Sequence, residues 1–257
     1  MRRALLNVGG LKASVLEPDN DAARPDLNVV LAHGYGAPAE DLVGLAPELA
    51  ELNPELGRRV RWIFPAAPLS LEDMGIPYGS AWWHLDLDAL LSQRDWSRYT
   101  EETPEGLPKA RRMLHLLLDH LVAITGLPLS RTVLGGFSQG AMLATDLALR
   151  LEEPPAGLAI LSGSLISRDA WAERIGRRAA MPVFQSHGRA DPILPFEVAE
   201  QLRRLFVDAG VPLTCIPFEG QHAISFEVLQ RLAGWIAERL SSVHSSGPSG
   251  NGRAGAP

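Results

Sequence analysis

From Thr132 onward, short apolar runs alternate with stretches of helical period, and this alternation constrains the fold more than any other feature of the chain. Strand-like runs lie at 132–136, 158–162, 182–186 and 213–218, with helical stretches at 139–151, 195–209 and 224–240. Strands separated by helices are βαβ units, and such units build a mostly parallel sheet. Upstream the pattern continues less regularly. Residues 4–17 read as a hairpin turning at Gly9-Gly10, and 28–32 and 61–65 as short strands. Residues 39–52 read as a helix with Leu42, Leu45, Leu49 and Leu52 on one face. The clearest helix is 105–125, ended by Gly126. Residues 65–103 lack periodicity and carry Pro65, Pro68, Pro77, the Trp82-Trp83 pair and Trp96. A segment of that length inside a compact domain is more often functional than idle. Residues 1–240 read as one domain, and the Ser-, Gly- and Pro-rich stretch 241–257 as a disordered tail.

The chain has 257 residues and a formal net charge of −6, with no long basic run, which argues against nucleic acid as a partner. Cys215 is the only cysteine, so no intrachain disulfide can form, and a reducing compartment, the cytoplasm, is expected. Cys215 sits in an apolar run and reads as a small core residue. The first ten residues are broken by Asn7 and Gly9-Gly10, so a signal peptide is not expected there. No apolar run approaches the ~18 residues of a membrane span, so integral membrane association is not expected. Nothing in the sequence specifies an oligomeric state.

The chemistry centres on Gly136-Phe137-Ser138-Gln139-Gly140, placed where a strand gives way to a helix. A serine between glycines at such a turn is how α/β-hydrolases present a nucleophile. Three fixed positions recur too often by chance to carry the reading alone. A serine hydroxyl also needs a base, and the base needs an orienting group. Of the histidines after Ser138, His244 lies in the tail. His187 ends a strand, where a buried structural role is expected, and His222 occupies a polar loop before the last helix. Loops at the C-terminal edge of a parallel sheet gather active groups, which favours His222 as base. Asp191, just past the strand 182–186, is the candidate acid, with capping of the helix near Pro195 as its alternative. Asp169 and Asp208 are weaker candidates. Backbone N–H groups of Gln139 and of Tyr35, in the turn His33-Gly34-Tyr35-Gly36, are the candidate oxyanion donors.

These segments, with Phe64-Pro65-Ala66-Ala67-Pro68, His187-Gly188-Arg189-Ala190-Asp191-Pro192 and Gly220-Gln221-His222, resemble the phospholipase/carboxylesterase family of α/β-hydrolases. The family includes acyl-protein thioesterases and small bacterial carboxylesterases, and the match spans roughly residues 28–240 in the family's order. The resemblance implies an α/β-hydrolase fold, a mostly parallel sheet with helices on both faces. It also implies Ser138 as nucleophile, Asp191 as acid, His222 as base, and oxyanion donors at Tyr35 and Gln139. The chain departs from the family at Tyr35, often Leu there, at Ala141, often Gly, and at Trp83 and His84, where Tyr and Asp are usual.

Trp82 and Trp83 have two readings: they pack on the domain, or they line an acyl channel as substrate-binding residues. Asp86 and Asp88 read as solvated, without His or Cys at ligand spacing, and no metal or cofactor is expected. The expected reaction is hydrolysis of short to medium acyl esters or thioesters through an acyl-enzyme. The alternative is a catalytically silent scaffold that binds a small ligand or partner.

Overall fold

The computed structural model describes residues 1–19, 24–86 and 96–242. The expected hairpin forms as β1 (Arg2–Val8) and β2 (Leu11–Glu17). It turns at Gly9 and Gly10, whose φ values of 57° and 85° suit glycine. The chain then runs through β3 (Leu27–Ala32), α1 (Leu45–Leu52), α2 (Pro54–Arg59) and β4 (Val60–Pro65). A two-residue ladder, β5 (Leu69–Ser70) with β6 (Ser80–Ala81), and α3 (Trp96–Glu101) precede α4 (Leu107–Thr125). The remaining elements are β7 (Thr132–Phe137), α5 (Gln139–Ala148), β8 (Gly157–Leu161), α6 (Arg168–Ile175), β9 (Val183–Gly188), α7 (Phe196–Asp208), β10 (Leu213–Phe218) and α8 (Phe226–Ser241).

Eight strands form one sheet in the order β1-β2-β4-β3-β7-β8-β9-β10. All neighbours from β4 to β10 pair in parallel, and β1 and β2 add an antiparallel edge. The expected mostly parallel α/β sheet is therefore present. Side-chain alternation divides its core into two layers. Val30, Ala32, Leu134, Leu158 and Ile160 face one layer, under α4, α5, α6 and α7. Val29, Leu31, Val133, Ala159 and Leu161 face the other, under α1, α2 and α8. Both faces of the central strands are buried, so these strands read as continuous apolar runs rather than alternating ones.

Several elements differ from the expectations. The helix expected at 39–52 begins only at Leu45, after a series of turns, and α5 ends at Ala148 rather than 151. Helix α2 begins at Pro54, capped by the Asn53 side chain, which accepts from the Glu55 N–H at 3.1 Å. Helix α6 buries only Trp171 and Ile175, too few apolar positions to show a period. Cys215 is half-buried on β10 rather than in the core, and burial pushes its thiol upward from its ordinary range. Asp88, His244 and the tail from 243 lie outside the described residues, as do residues 87–95 of the irregular segment.

Candidate active site

Ser138 stands between β7 and α5 with φ 54° and ψ −120°, a conformation that costs energy for any residue with a β-carbon. The surroundings hold it there. Its N–H donates to the Leu161 carbonyl at 2.9 Å, tying the turn to the end of β8. The glycines on either side admit the close approach of β3. A β-carbon on Gly136 would stand 2.5 Å from the Ala32 carbonyl oxygen, and one on Gly140 would overlap that same carbonyl. The sharp turn is thus possible because positions 136 and 140 carry no side chain.

Beside Ser138 runs the segment His33-Gly34-Tyr35, and a β-carbon on Gly34 would lie 3.2 Å from the Ser138 Cβ. The His33 ring shapes this segment from behind. Its Nδ1–H donates to the Gly34 carbonyl at 2.9 Å, and its Nε2 accepts from the Ala67 N–H at 3.0 Å. Burial holds its proton affinity below the usual imidazole range, against the smaller raising effects of the Gly34 carbonyl and Asp41. Gln139 opens α5, where a backbone N–H has no acceptor within its own helix.

The Gln139 side chain is fully buried and bonded at both ends. It accepts from the Trp82 N–H at 2.9 Å and donates to the Trp83 carbonyl at 2.8 Å. The Trp82 indole N–H in turn donates to the His33 carbonyl at 2.9 Å. Of the two readings of Trp82 and Trp83, the structure shows the packed one. Both are 1% exposed, and neither lines the cavity at Ser138. They form a strut joining the His33 segment to the first turn of α5.

Asp191 lies in the turn after β9, with its carboxylate buried. Its Oδ1 accepts from the N–H groups of Ile193 and Leu194, both at 2.9 Å, so the side chain folds its own turn. Helix α7 starts later, after Pro195 and without a side-chain cap, so the helix-cap alternative does not describe Asp191. Its Oδ2 accepts from His222 Nδ1 at 2.6 Å and lies 3.2 Å from His187 Nε2. Burial works against the charge. The hydrogen bonds from His187, His222 and the Leu194 N–H outweigh it and hold the carboxyl well below its usual range. Asp191 is therefore an anion, and His222 must carry its proton on Nδ1, leaving Nε2 with a free lone pair.

His222 sits in the loop after β10, its ring 4.8 Å from that of Phe137. The loop reaches the sheet edge because Gly188 lets it pass, since a β-carbon there would stand 2.5 Å from the Gly220 carbonyl oxygen. A further tie comes from Ser162 at the end of β8. Its φ is 48°, and its buried hydroxyl donates to the Ala223 carbonyl at 2.9 Å. The end of β8 thus anchors both the Ser138 turn, through Leu161, and the His222 loop, through Ser162.

Ser138, Gln139, His222 and Tyr35 share one cavity of about 340 Å³, walled also by Leu85, Tyr99, Met142 and Leu194. Ser138 makes no hydrogen bond to His222 here. Such bonds are often long before substrate is held and tighten with it in place. Sequence reasoning placed Leu85 and Tyr99 within a segment of expected functional weight without singling them out, and it did not identify Met142 or Ser162. Met142 follows Ser138 by one helical turn, so a helix starting at Gln139 was the signal that could have found it. Among the described residues, no cluster of His, Cys, Asp or Glu could hold a metal ion. Nor is any helix there long and apolar enough to cross a membrane.

A strained serine at a strand-to-helix turn, sharing its cavity with a carboxylate-bound histidine at the C-terminal edge of this sheet, defines an α/β-hydrolase. A family model for phospholipase/carboxylesterase matches residues 13–240, and the chain belongs to that family. It is a hydrolase of the esterase–thioesterase type. A probable carboxylesterase of Oryza sativa is 32% identical over 222 residues, 83% of this chain and 88% of the relative. Acyl-protein thioesterase 1 of Neurospora crassa is 28% identical over 232 residues, 86% of this chain and 90% of the relative. The crystal structure of esterase PE8 superposes with a TM-score of 0.71 at 28% identity, covering 87% of this chain and 96% of that one.

Proposed function

We propose that Ser138 is the nucleophile of a serine carboxylester or thioester hydrolase, with His222 as general base and Asp191 as orienting acid. The observation that carries this reading is the 2.6 Å bond between His222 Nδ1 and the buried Asp191 carboxylate, in a cavity shared with Ser138. It turns the free Nε2 into the base. In the first step Nε2 takes the Ser138 proton while Oγ attacks the acyl carbonyl. The backbone N–H groups of Tyr35 and Gln139 receive the charge that develops on the carbonyl oxygen. The imidazolium, stabilised by Asp191, then protonates the leaving alcohol or thiol, and an acyl-Ser138 remains. Water deprotonated by the same Nε2 releases the acid.

The wall of Leu85, Tyr99 and Met142 suits the apolar chain of a short to medium acyl group. The names of the relatives, carboxylesterase and acyl-protein thioesterase, support both ester classes as substrates. A fluorophosphonate probe tests the nucleophile. Wild type should label at Ser138 and Ser138→Ala should not; an unlabelled, folded wild type would favour the silent scaffold instead. His222→Ala should hydrolyse p-nitrophenyl esters at least ~10³-fold more slowly.

A further inference from the structure

His187, the penultimate residue of β9, has a side chain only 3% exposed, yet it takes none of the steps above. Its Nε2 lies 2.7 Å from the Leu194 carbonyl oxygen and 3.2 Å from Asp191 Oδ2. Both neighbours are acceptors, so Nε2 must carry hydrogen. Its Nδ1 is buried with no hydrogen-bond partner. The geometry therefore places the ring's hydrogen on Nε2 and leaves Nδ1 facing no donor or acceptor of the protein.

We propose that His187 is a positioning residue for the Asp191–His222 pair, sharing its Nε2–H between Leu194 and the carboxylate oxygen that holds the base. This inference rests on the triad reading of the preceding section. Asp191 receives two N–H groups on Oδ1 and the His222 imidazole on Oδ2, with His187 Nε2 3.2 Å from that same oxygen, so rotation of the carboxylate would break several contacts at once. The second donor also draws on the electron density of Oδ2. That lowers the strength with which the carboxylate accepts the His222 Nδ1–H.

The other charged groups close by are few. Arg189 stacks on Phe196 at 4.9 Å and pairs with Glu219 at 3.3 Å, while the Phe196 ring lies 6.3 Å from the His187 ring. Asp41 lies on the cavity wall.

The test compares His187→Met, which has no donor, with His187→Gln, whose amide NH₂ can stand near the lost Nε2–H. With a p-nitrophenyl ester, His187→Met should lower kcat about 10- to 100-fold with little change in KM. The acidic limb of its kcat/KM profile should move up by about half a pH unit to one, because Oδ2 becomes the stronger acceptor. The downfield NMR signal of the His222 Nδ1–H should shift with it. His187→Gln should recover most of kcat and the wild-type limb. Should His187→Met not fold, His187→Asn replaces it, because its amide superposes on Nδ1 rather than Nε2. A folded donor-less variant with wild-type kcat and limb would overturn the proposal. Equal losses in the Gln and donor-less variants with an unmoved limb would also do so, showing a packing role only. His222→Ala separates the two levels: if it retains hydrolysis, the triad reading itself fails, whereas an inactive His222→Ala beside an unperturbed His187→Met sinks this inference alone.

Discussion

The two walls of the cavity are held by different means. One wall, with Ser138, Gln139, Leu194 and His222, hangs from the ends of β7, β9 and β10. Parallel ladders fix its spacing, and Gly136 and Gly140 at the Ala32 carbonyl, and Gly188 at the His222 loop, allow backbones to approach closely. The other wall, with Leu85 and Tyr99, comes from the segment between β6 and α4. It is joined to the first by side-chain contacts such as the Tyr99 hydroxyl donating to Met142 Sδ at 3.1 Å, and the Trp96 and Tyr99 rings pack edge to face at 5.5 Å. A wall built on the sheet places reacting atoms with little freedom. A wall built on side chains can change shape at small cost to the fold. The difference suggests chemistry on one side and substrate choice on the other.

The sharpest way to break this division is at Asp191. Asp191→Asn should keep the fold and lower kcat by about 10⁴-fold, because an amide at this place favours the wrong imidazole tautomer. Wild type also owes acid-sensitive stability to this carboxyl. Its affinity for protons is lowered on folding, so its contribution is complete above the ordinary carboxylate range and fades as pH falls through and below that range. Acid unfolding followed by circular dichroism should show a shallower loss of stability below about pH 4 in Asp191→Asn than in wild type. A steeper loss in the variant would contradict the assignment.

Gly140→Ala comes next. The new methyl would overlap the Ala32 carbonyl, and overpacking of this kind costs ~3 kcal/mol or more where backbone cannot yield. Chemical denaturation should register that loss, together with a fall in fluorophosphonate labelling as the Ser138 turn is displaced. An unchanged unfolding midpoint would show that the close approach is not what fixes the turn.

The sheet-borne wall was largely legible in the sequence, and the reason is local. A serine between glycines, an Asp one turn past a strand and a His in a strand-to-helix loop each announce their place through neighbours in the chain. The side-chain wall was not legible, because its contacts join residues far apart. Trp82 and Trp83 show the point. Two tryptophans in an irregular segment look like a lining, yet their backbone groups bond Gln139, more than fifty positions away. His187 could be placed as buried from its strand, but its approach to Asp191 depends on the path of the turn between them. Helix α6 showed in the sequence only as a helix start near Asp169, without a period, because only two of its residues face the core.

Gln139→Ala should fall between the two walls in effect. It leaves the Trp82 N–H and Trp83 carbonyl buried without partners, at about 1–3 kcal/mol for each unsatisfied group. Its own backbone N–H stays. Stability should drop by ~2 kcal/mol or more, while kcat falls only as far as the loosened strut lets the His33 segment drift. A kcat loss without any stability loss would mean that the side chain, rather than the backbone, serves the reaction.

The smallest effects are expected at Tyr99, where they bear most directly on substrate choice. Burial keeps its phenol un-ionised well beyond the ordinary range, against a smaller lowering effect of the Ser164 hydroxyl, so it acts as a neutral wall with a weak bond to the Met142 sulfur. Tyr99→Phe removes the hydroxyl's interactions with Met142 and Ser164 and should change stability by about 1 kcal/mol, with the acyl-length profile of p-nitrophenyl esters intact. Tyr99→Ala instead opens space beside Met142. Each further methylene a substrate can bury contributes ~0.8 kcal/mol, so kcat/KM should rise severalfold for longer chains relative to shorter ones. Labelling of Ser138 by a small fluorophosphonate should continue at close to the wild-type rate. If the preferred chain length does not move in Tyr99→Ala, the acyl group lies elsewhere in the cavity. If labelling collapses along with it, the second wall also positions the nucleophile, and the separation of chemistry from selection does not hold.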